Sequence, residues 1–67
     1  MGDQLDSRLR EVRIRRGFTQ AQLAESIGVS RKTINTVENG IFVPSTVLAL
    51  RLAKALGTTV EALFQLR

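Results

Sequence analysis

The chain contains no cysteine and no histidine. Disulfides are thereby excluded and the two side chains most used to hold zinc are missing, so no metal and no cofactor is expected. Burial of apolar side chains must then hold the fold together. Nowhere does an apolar run approach the ~18 residues needed to cross a bilayer, and Met1-Gly2-Asp3-Gln4 lacks the pattern of a secretion signal. No membrane partner is expected, and a reducing compartment, the cytoplasm, suits the chain. A glycine-rich phosphate loop is absent, as is any pair of carboxylates spaced to share a site, so nothing here equips an enzyme. No small-molecule site is evident.

What is present is short and basic. The 67 residues leave room for a single domain spanning 1–67, and a chain of that size buries only about 60% of the surface that its unfolded form exposes. Ten Lys plus Arg against six Asp plus Glu give a net charge of +4. Such an excess either keeps a surface solvated or favours an anionic partner, with nucleic acid ahead of a membrane. Where the charges sit decides between these.

Leu5, Leu9 and Val12 recur at i, i+4 and i+7, which predicts a first helix between Asp3 and Arg16. Its far side carries Arg8, Arg10, Arg15 and Arg16, the last two placed either to complement the helix C-terminus or to meet phosphate. Ile14 falls off the apolar stripe and is either half exposed or in contact with another chain. Gly17 ends the helix, Phe18 fits a hydrophobic staple, and Thr19 with Gln22 fits a capping box. Leu23, Ala24 and Ile27 form the inner face of a second helix. Gly28 breaks it, Val29 plugs the turn, and Ser30 caps the next helix. Two short helices meeting across a glycine-containing turn make a helix-turn-helix pattern, one that generic helical hairpins share.

The third helix divides by angle. At roughly 100° per residue from Arg31, Thr33, Ile34 and Val37 fall near ~200°, ~300° and ~240°, whereas Asn35, Lys32 and Thr36 fall near ~40°, ~100° and ~140°. One face is apolar. The other presents a guanidinium, an ammonium, an amide and a hydroxyl with no acid among them, a set suited to base edges and phosphates in a major groove. An ordinary solvated face would mix Glu with Lys at i, i+4.

Asn39-Gly40 closes that helix. Ile41, Phe42 and Val43 follow, then Pro44, the only proline. An apolar loop of this kind either tucks under the core or forms a patch for a partner, and at least one of the three is expected to be buried, with Phe42 open. Ser45 caps a fourth helix whose Leu48, Leu52, Ala53 and Leu56 share a face. Val47, Ala49, Leu50 and Ala55 widen it, which marks the central helix of the core, with Arg51 and Lys54 on its wet side. Gly57 ends it. Thr58 and Glu61 are spaced for a capping box opening a last short helix, whose Val60, Leu63 and Phe64 close the core. The expected fold is all-α with five helices.

The runs Leu9-Arg10-Glu11-Val12-Arg13, Arg16-Gly17-Phe18-Thr19-Gln20, Leu23-Ala24-Glu25, Gly28-Val29-Ser30-Arg31, Thr33-Ile34-Asn35, Glu38-Asn39-Gly40, Pro44-Ser45 and Leu52-Ala53 resemble the Cro/C1-type helix-turn-helix family of bacterial and phage repressors, and the small regulators grouped as Xre-type. The resemblance covers nearly the whole chain. It implies a lambda-repressor-like fold of five helices, with helices two and three as the DNA-reading unit and the third in the major groove. It implies base reading by Arg31, Lys32 and Thr36 and places Asn35 at the groove or its phosphate walls; the angular split adds Asn35 to the base-reading set. It also implies phosphate contacts from Thr19, Gln20, Ser30, Thr33 and Asn39, with Thr33 marginal because its angle sets it at the edge of the buried face. Finally it implies an ion pair between Arg13 and Glu38 that joins helix one to the end of helix three.

Two features depart from the family. Ile41, Phe42 and Val43 offer no charge where relatives supply basic or polar residues to the DNA backbone, which predicts a weaker salt dependence. Many relatives carry further structure after helix five, whereas this chain stops at Arg67, as a minimal regulator or as the DNA-binding part of something longer. The resulting expectation is a sequence-specific regulator of double-stranded DNA, a repressor by family habit. One module buries only ~600–1,000 Å² on DNA, so a homodimer on a palindromic operator is expected, with Phe64, Leu66, Phe42 and Ile14 as candidate interface residues. The competing expectation is a protein-interaction module, of antitoxin or anti-repressor type, using the Ile41 to Val43 patch.

Overall fold

The computed structural model describes residues 4–67. Their order is β1 (Leu5–Ser7), α1 (Leu9–Arg15), α2 (Gln20–Ile27), α3 (Arg31–Glu38), α4 (Thr46–Leu56), α5 (Val60–Leu63) and β2 (Phe64–Leu66). Among the described residues there are five helices, and a short antiparallel strand pair is added to the all-helical expectation, with Leu5 opposite Leu66 and Ser7 opposite Phe64.

That pair changes the beginning of the chain. Leu5 belongs to β1, and helix one starts at Leu9; Asp3, the expected start, lies outside the described residues. The cause is a set of bonds made to the C-terminal segment at the far end of the chain. Arg8 donates its backbone N–H to Leu63 O at 2.8 Å, and Arg67 donates to Gln4 O at 2.9 Å. Backbone groups that bond across to the C-terminal segment cannot also close helical turns. Arg8 itself gives α1 no side-chain cap.

Elsewhere local chemistry sets the helix ends. Thr19 Oγ1 accepts from Gln22 N–H while Gln22 Oε1 accepts from Thr19 N–H, so the capping box is complete. Ser30 accepts from Thr33 N–H and Ser45 from Leu48 N–H. The cap of α5 is Thr59, which accepts from Ala62 N–H; the expected Thr58 is one residue early, because its own N–H is bonded back to Ala53 O at the end of α4. Gly28 joins α2 to α3 at φ 73, a left-handed turn that only glycine adopts without strain. Val29 N–H then reaches back to Ala24 O, which closes the end of α2.

The core is built from Leu9, Leu23, Ile34, Val37, Leu52, Leu56 and Leu63, all essentially without solvent contact. Ala24, Ala49 and Ala53 let the helices approach closely, and Phe64 packs in from β2. Val47 and Leu50, expected to widen the inner face of α4, point outward instead, as do Arg51 and Lys54.

The loop after α3 also departs from expectation. Ile41, Phe42 and Val43 are all exposed, and none of them is tucked under the core. Gly40, at φ 71, lets Ile41 N–H and Phe42 N–H both return to Thr36 O, at 3.0 and 3.3 Å. The backbone is thereby satisfied by the last turn of α3. The three side chains are left outside a core already filled by other residues.

Candidate nucleic-acid interface

The polar face of α3 is organised from inside the protein. Glu38, on the last turn of α3, has a fully buried side chain. Arg13 on α1 holds it with two bonds, from Nε to Oε2 and from Nη2 to Oε1 at 3.3 Å, and Arg13 Nη1 also donates to Phe18 O at 2.9 Å. Arg10, one turn earlier, donates from Nε to the same Oε1 at 3.2 Å. Burial alone would push the Glu38 carboxyl up, but the bonds from Arg13, Gln20 and Arg10 outweigh it and hold the group below the usual carboxylate range. Glu38 is therefore an ionised anchor. It ties α1 to the end of the helix that carries the polar face.

From that anchor a chain of hydrogen bonds runs outward. Gln20, at the first position of α2, donates from Nε2 to Glu38 Oε1 at 3.0 Å and to Asn35 Oδ1 at 3.3 Å. Two acceptors on one nitrogen decide which way the Gln20 amide points. Its Oε1 faces out and accepts from Arg31 Nε at 3.4 Å. Asn39 closes the other side: Oδ1 accepts from Arg10 Nη2 at 2.8 Å, while Nδ2 donates to Asn35 O at 2.9 Å.

These bonds determine what each side chain has left to offer. Arg31 is exposed and, among the described residues, keeps both terminal nitrogens unengaged, the pair of donors that a guanine O6 and N7 can accept. Lys32 is exposed and belongs to no ion pair among the described residues. Asn35 has its oxygen engaged by Gln20 and Asn39, so its amide donor is what faces outward. Thr36 is half-buried and donates its hydroxyl to Thr33 O at 3.0 Å, which leaves a methyl and an acceptor oxygen. Ser30 and Thr33 bond to each other at 2.9 Å beside the cap of α3. Gln20, Arg31, Lys32 and Asn35 line one open cleft of about 370 Å³. Thr19 is exposed at the start of α2 as its cap, and Asn39 is exposed with its amide oxygen accepting from Arg10 and its amide nitrogen donating to Asn35 O.

A helix-turn-helix family model matches residues 9–63. The chain belongs to the Cro/C1-type helix-turn-helix family. Among its relatives, an uncharacterized HTH-type transcriptional regulator of Bacillus subtilis, YgzD, is 39% identical over 62 residues, covering 92% of this chain and 94% of that one. An uncharacterized HTH-type transcriptional regulator of Methanothermobacter thermautotrophicus is 51% identical over 49 residues, covering 73% of this chain and 71% of its own. Among solved structures, the restriction-modification controller protein C.AhdI of Aeromonas hydrophila superposes with a TM-score of 0.76 at 39% identity, covering 81% of this chain and 82% of that one. The Clp gene regulator ClgR of Corynebacterium glutamicum gives the same TM-score at 33% identity; 81% of this chain is covered, and the chain spans 57% of that protein's length.

Within this helix-turn-helix frame the remaining candidates separate. Phe64 is buried in the chain's own core, whereas Leu66, Phe42 and Ile14 are exposed. Arg10 was not singled out by sequence as part of the site. Its one available signal was position: it lies three residues before Arg13, on an adjacent part of the α1 surface.

Proposed function

We propose that the chain is a cytoplasmic, sequence-specific regulator of transcription that binds double-stranded DNA with α3 in the major groove. The observation that carries this reading is the cleft of Gln20, Arg31, Lys32 and Asn35, whose amide and guanidinium groups are oriented from the buried Glu38 before any ligand arrives. Preorganised donors lose little freedom on binding, so more of each contact is available as affinity. Arg31 reads a guanine through its two free terminal nitrogens, and Lys32 and Asn35 add donors to neighbouring bases or phosphates. Thr36 contributes its methyl and acceptor oxygen. Gln20, Thr19, Ser30 and Thr33 stand along the phosphate walls and fix the register.

The regulator acts as a repressor and works as a homodimer on a palindromic operator, because one module covers too little DNA for useful specificity and two-fold half-sites lie about 34–36 Å apart. Selection of bound sequences from a random DNA pool tests the whole reading. A palindrome with that spacing is expected, and Arg31→Ala should relax preference at one symmetric pair of positions while Gln20→Ala weakens binding to all sequences. Recovery of no consensus, or equal losses on selected and random DNA for both variants, would overturn it.

A second reading is favoured by the exposure of Ile41, Phe42 and Val43 together. In it the same fold docks a protein through that loop, and DNA binding is secondary. Aspartate substitutions at Phe42 and Val43 that abolish regulation while leaving DNA affinity intact would support it.

A further inference from the structure

On the side of α1 turned away from Glu38, that helix and the C-terminal segment form a cleft of about 300 Å³. At roughly 100° per residue from Arg13, Glu11, Arg15 and Arg8 fall near ~160°, ~200° and ~220°, so they stand opposite the arginine that holds Glu38. All three line the cleft, and Arg16, just past the helix, joins them. The cleft thus holds three guanidiniums and one carboxylate. Arg15 and Arg16 belong to no ion pair among the described residues, and Arg8 makes a single long one, to Asp6 at 3.7 Å, a carboxylate that Arg67 also approaches. Neither Arg15 nor Arg16 is needed to close α1, because backbone N–H groups take its last carbonyls. Val12 O accepts from Arg16 N–H at 3.0 Å, Ile14 O from Gly17 N–H at 3.0 Å and Arg13 O from Phe18 N–H at 3.1 Å. Thr58 and Gln65 add a hydroxyl and an amide to the wall, and Val12 and Ala62 a small apolar patch. The strand pair and the bond from Arg8 N–H to Leu63 O bring the two ends of the chain together here, so no spacing in the sequence reveals the cleft.

We propose that this cleft binds a small phosphorylated ligand that also carries hydroxyl groups, its phosphate held by Arg8, Arg15 and Arg16. A guanidinium offers a fork of N–H donors that matches phosphate oxygens, and charge-assisted bonds of that kind are about twice as strong as neutral ones. Three cations against one anion leave a local excess of positive charge to draw the phosphate in. The volume lies at the lower end of the ~300–1,000 Å³ of small-molecule pockets, which suits a compact ligand. Glu11 decides between such a ligand and nucleic acid. A duplex carries a phosphate about every 1.7 Å of its axis, so a backbone laid across the three arginines would also press phosphates against Glu11. A small ligand places one anionic group at the arginines and neutral O–H groups at Glu11, Thr58 and Gln65, whose oxygens accept from them. The cleft on α3 has no acid among Gln20, Arg31, Lys32 and Asn35. One carboxylate therefore sorts the two cationic sites, polyanion to α3 and single phosphate to α1. They share no residue, so a phosphate site on α1 stands or falls separately from DNA binding by α3.

NMR of the arginine Nε–H signals of the whole chain, titrated at constant ionic strength with inorganic phosphate, glycerol phosphate and glycerol, tests it. The signals of Arg8, Arg15 and Arg16 should shift saturably with both phosphates and not with glycerol, glycerol phosphate binding the more tightly, while that of Arg31 shifts without saturating. Arg15→Gln should weaken glycerol phosphate binding by about tenfold or more, the scale of a lost hydrogen bond between charged groups. Arg51→Gln, which removes an exposed charge from α4, should leave it unchanged. Glu11→Gln should bind inorganic phosphate about two- to fivefold more tightly, since a nearby like charge is gone, and narrow the advantage of glycerol phosphate; arginines with a merely structural role would show neither change. All variants should melt like the parent by circular dichroism. Absence of saturable shifts at Arg15 and Arg16, or equal weakening by Arg15→Gln and Arg51→Gln, overturns the site. If a DNA duplex shifts Arg8, Arg15 and Arg16 as strongly as Arg31, the cleft belongs to the DNA footprint and the small-ligand assignment falls.

Discussion

The surface around α3 and the surface around α4 are exposed to the same solvent but are prepared for it differently. On α3 the outward groups are polar, and hydrogen bonds lead from them back to a buried carboxylate: Arg31 to Gln20, Gln20 and Asn35 to each other, Gln20 to Glu38, and Glu38 to Arg13 and Arg10. On α4 the outward groups include the apolar Val47 and Leu50, which stay more than half exposed beside Arg51 and Lys54. Directional bonds can fix an exposed amide or guanidinium in place before a ligand comes. Apolar side chains have no such means, and their favourable term appears only when a second surface removes them from water. The contrast separates a face whose polar groups are held in place by the fold from one whose apolar groups stay in water.

The most damaging way to break the comparison is at Glu38. Glu38→Ala leaves Arg13 buried without its counter-charge and should cost about 3–5 kcal/mol, a large part of the stability of so small a domain; urea denaturation measures it. A double variant, Arg13→Met with Glu38→Leu, should recover most of that loss because both charges leave together. If it folds well yet binds its operator more weakly than the parent, the network serves orientation and not only stability. Next in size is Arg31→Ala, expected to lose about 1–3 kcal/mol of discrimination at one base position with melting unchanged, as read by titration against a panel of single-base operator variants.

Gln20→Ala should cost about 1 kcal/mol on every sequence, and its signature is the uniformity of that loss. Leu50→Ser is expected to change stability by no more than about 0.5 kcal/mol, as thermal melting measures; a chain that unfolds instead would mean that α4 leans on Leu50 internally. The smallest effect is with pH. Because the Glu38 carboxyl is held below its ordinary value, its contribution to stability is complete above the unfolded carboxylate range near ~4.3 and fades as pH falls through the lower folded value. Acid titration of stability should therefore flatten in Glu38→Gln over that window, from a lower starting point.

How much of this could be read in advance depends on the range of the interaction responsible. The caps at Thr19, Ser30 and Ser45 were legible because a capping side chain reaches only two or three residues along the chain. Thr59 was missed by one position because Thr58 N–H is already engaged by the end of α4. Leu5 kept helical spacing with Leu9 and Val12, yet it pairs with Leu66, and spacing within one segment carries no information about a strand at the other end. The outward face of α4 was misread for a related reason. Val47 and Leu50 are apolar enough for a core, and only the positions of α2, α5 and the strands leave them on the outside.

In the candidate site, the split of α3 into an apolar and a polar face followed from helical geometry alone. Ile34 and Val37 are buried and Arg31, Lys32 and Asn35 exposed. The Arg13 and Glu38 link came only through family resemblance, since the two residues lie 25 positions apart. Arg10 joins them because α1 crosses the end of α3 closely enough for two arginines to reach one carboxylate.

The sequence by itself therefore determined the helices, most of their caps and stops, and the polar character of α3, because each depends on neighbours within one or two turns. Tertiary structure alone decided the strand pair, the second arginine on Glu38, the orientation of the Gln20 amide, and which apolar residues of α4 and the loop before it stay outside. Those depend on contacts between residues distant along the chain, where many apolar residues compete for a core of limited volume and every buried polar group must find a partner.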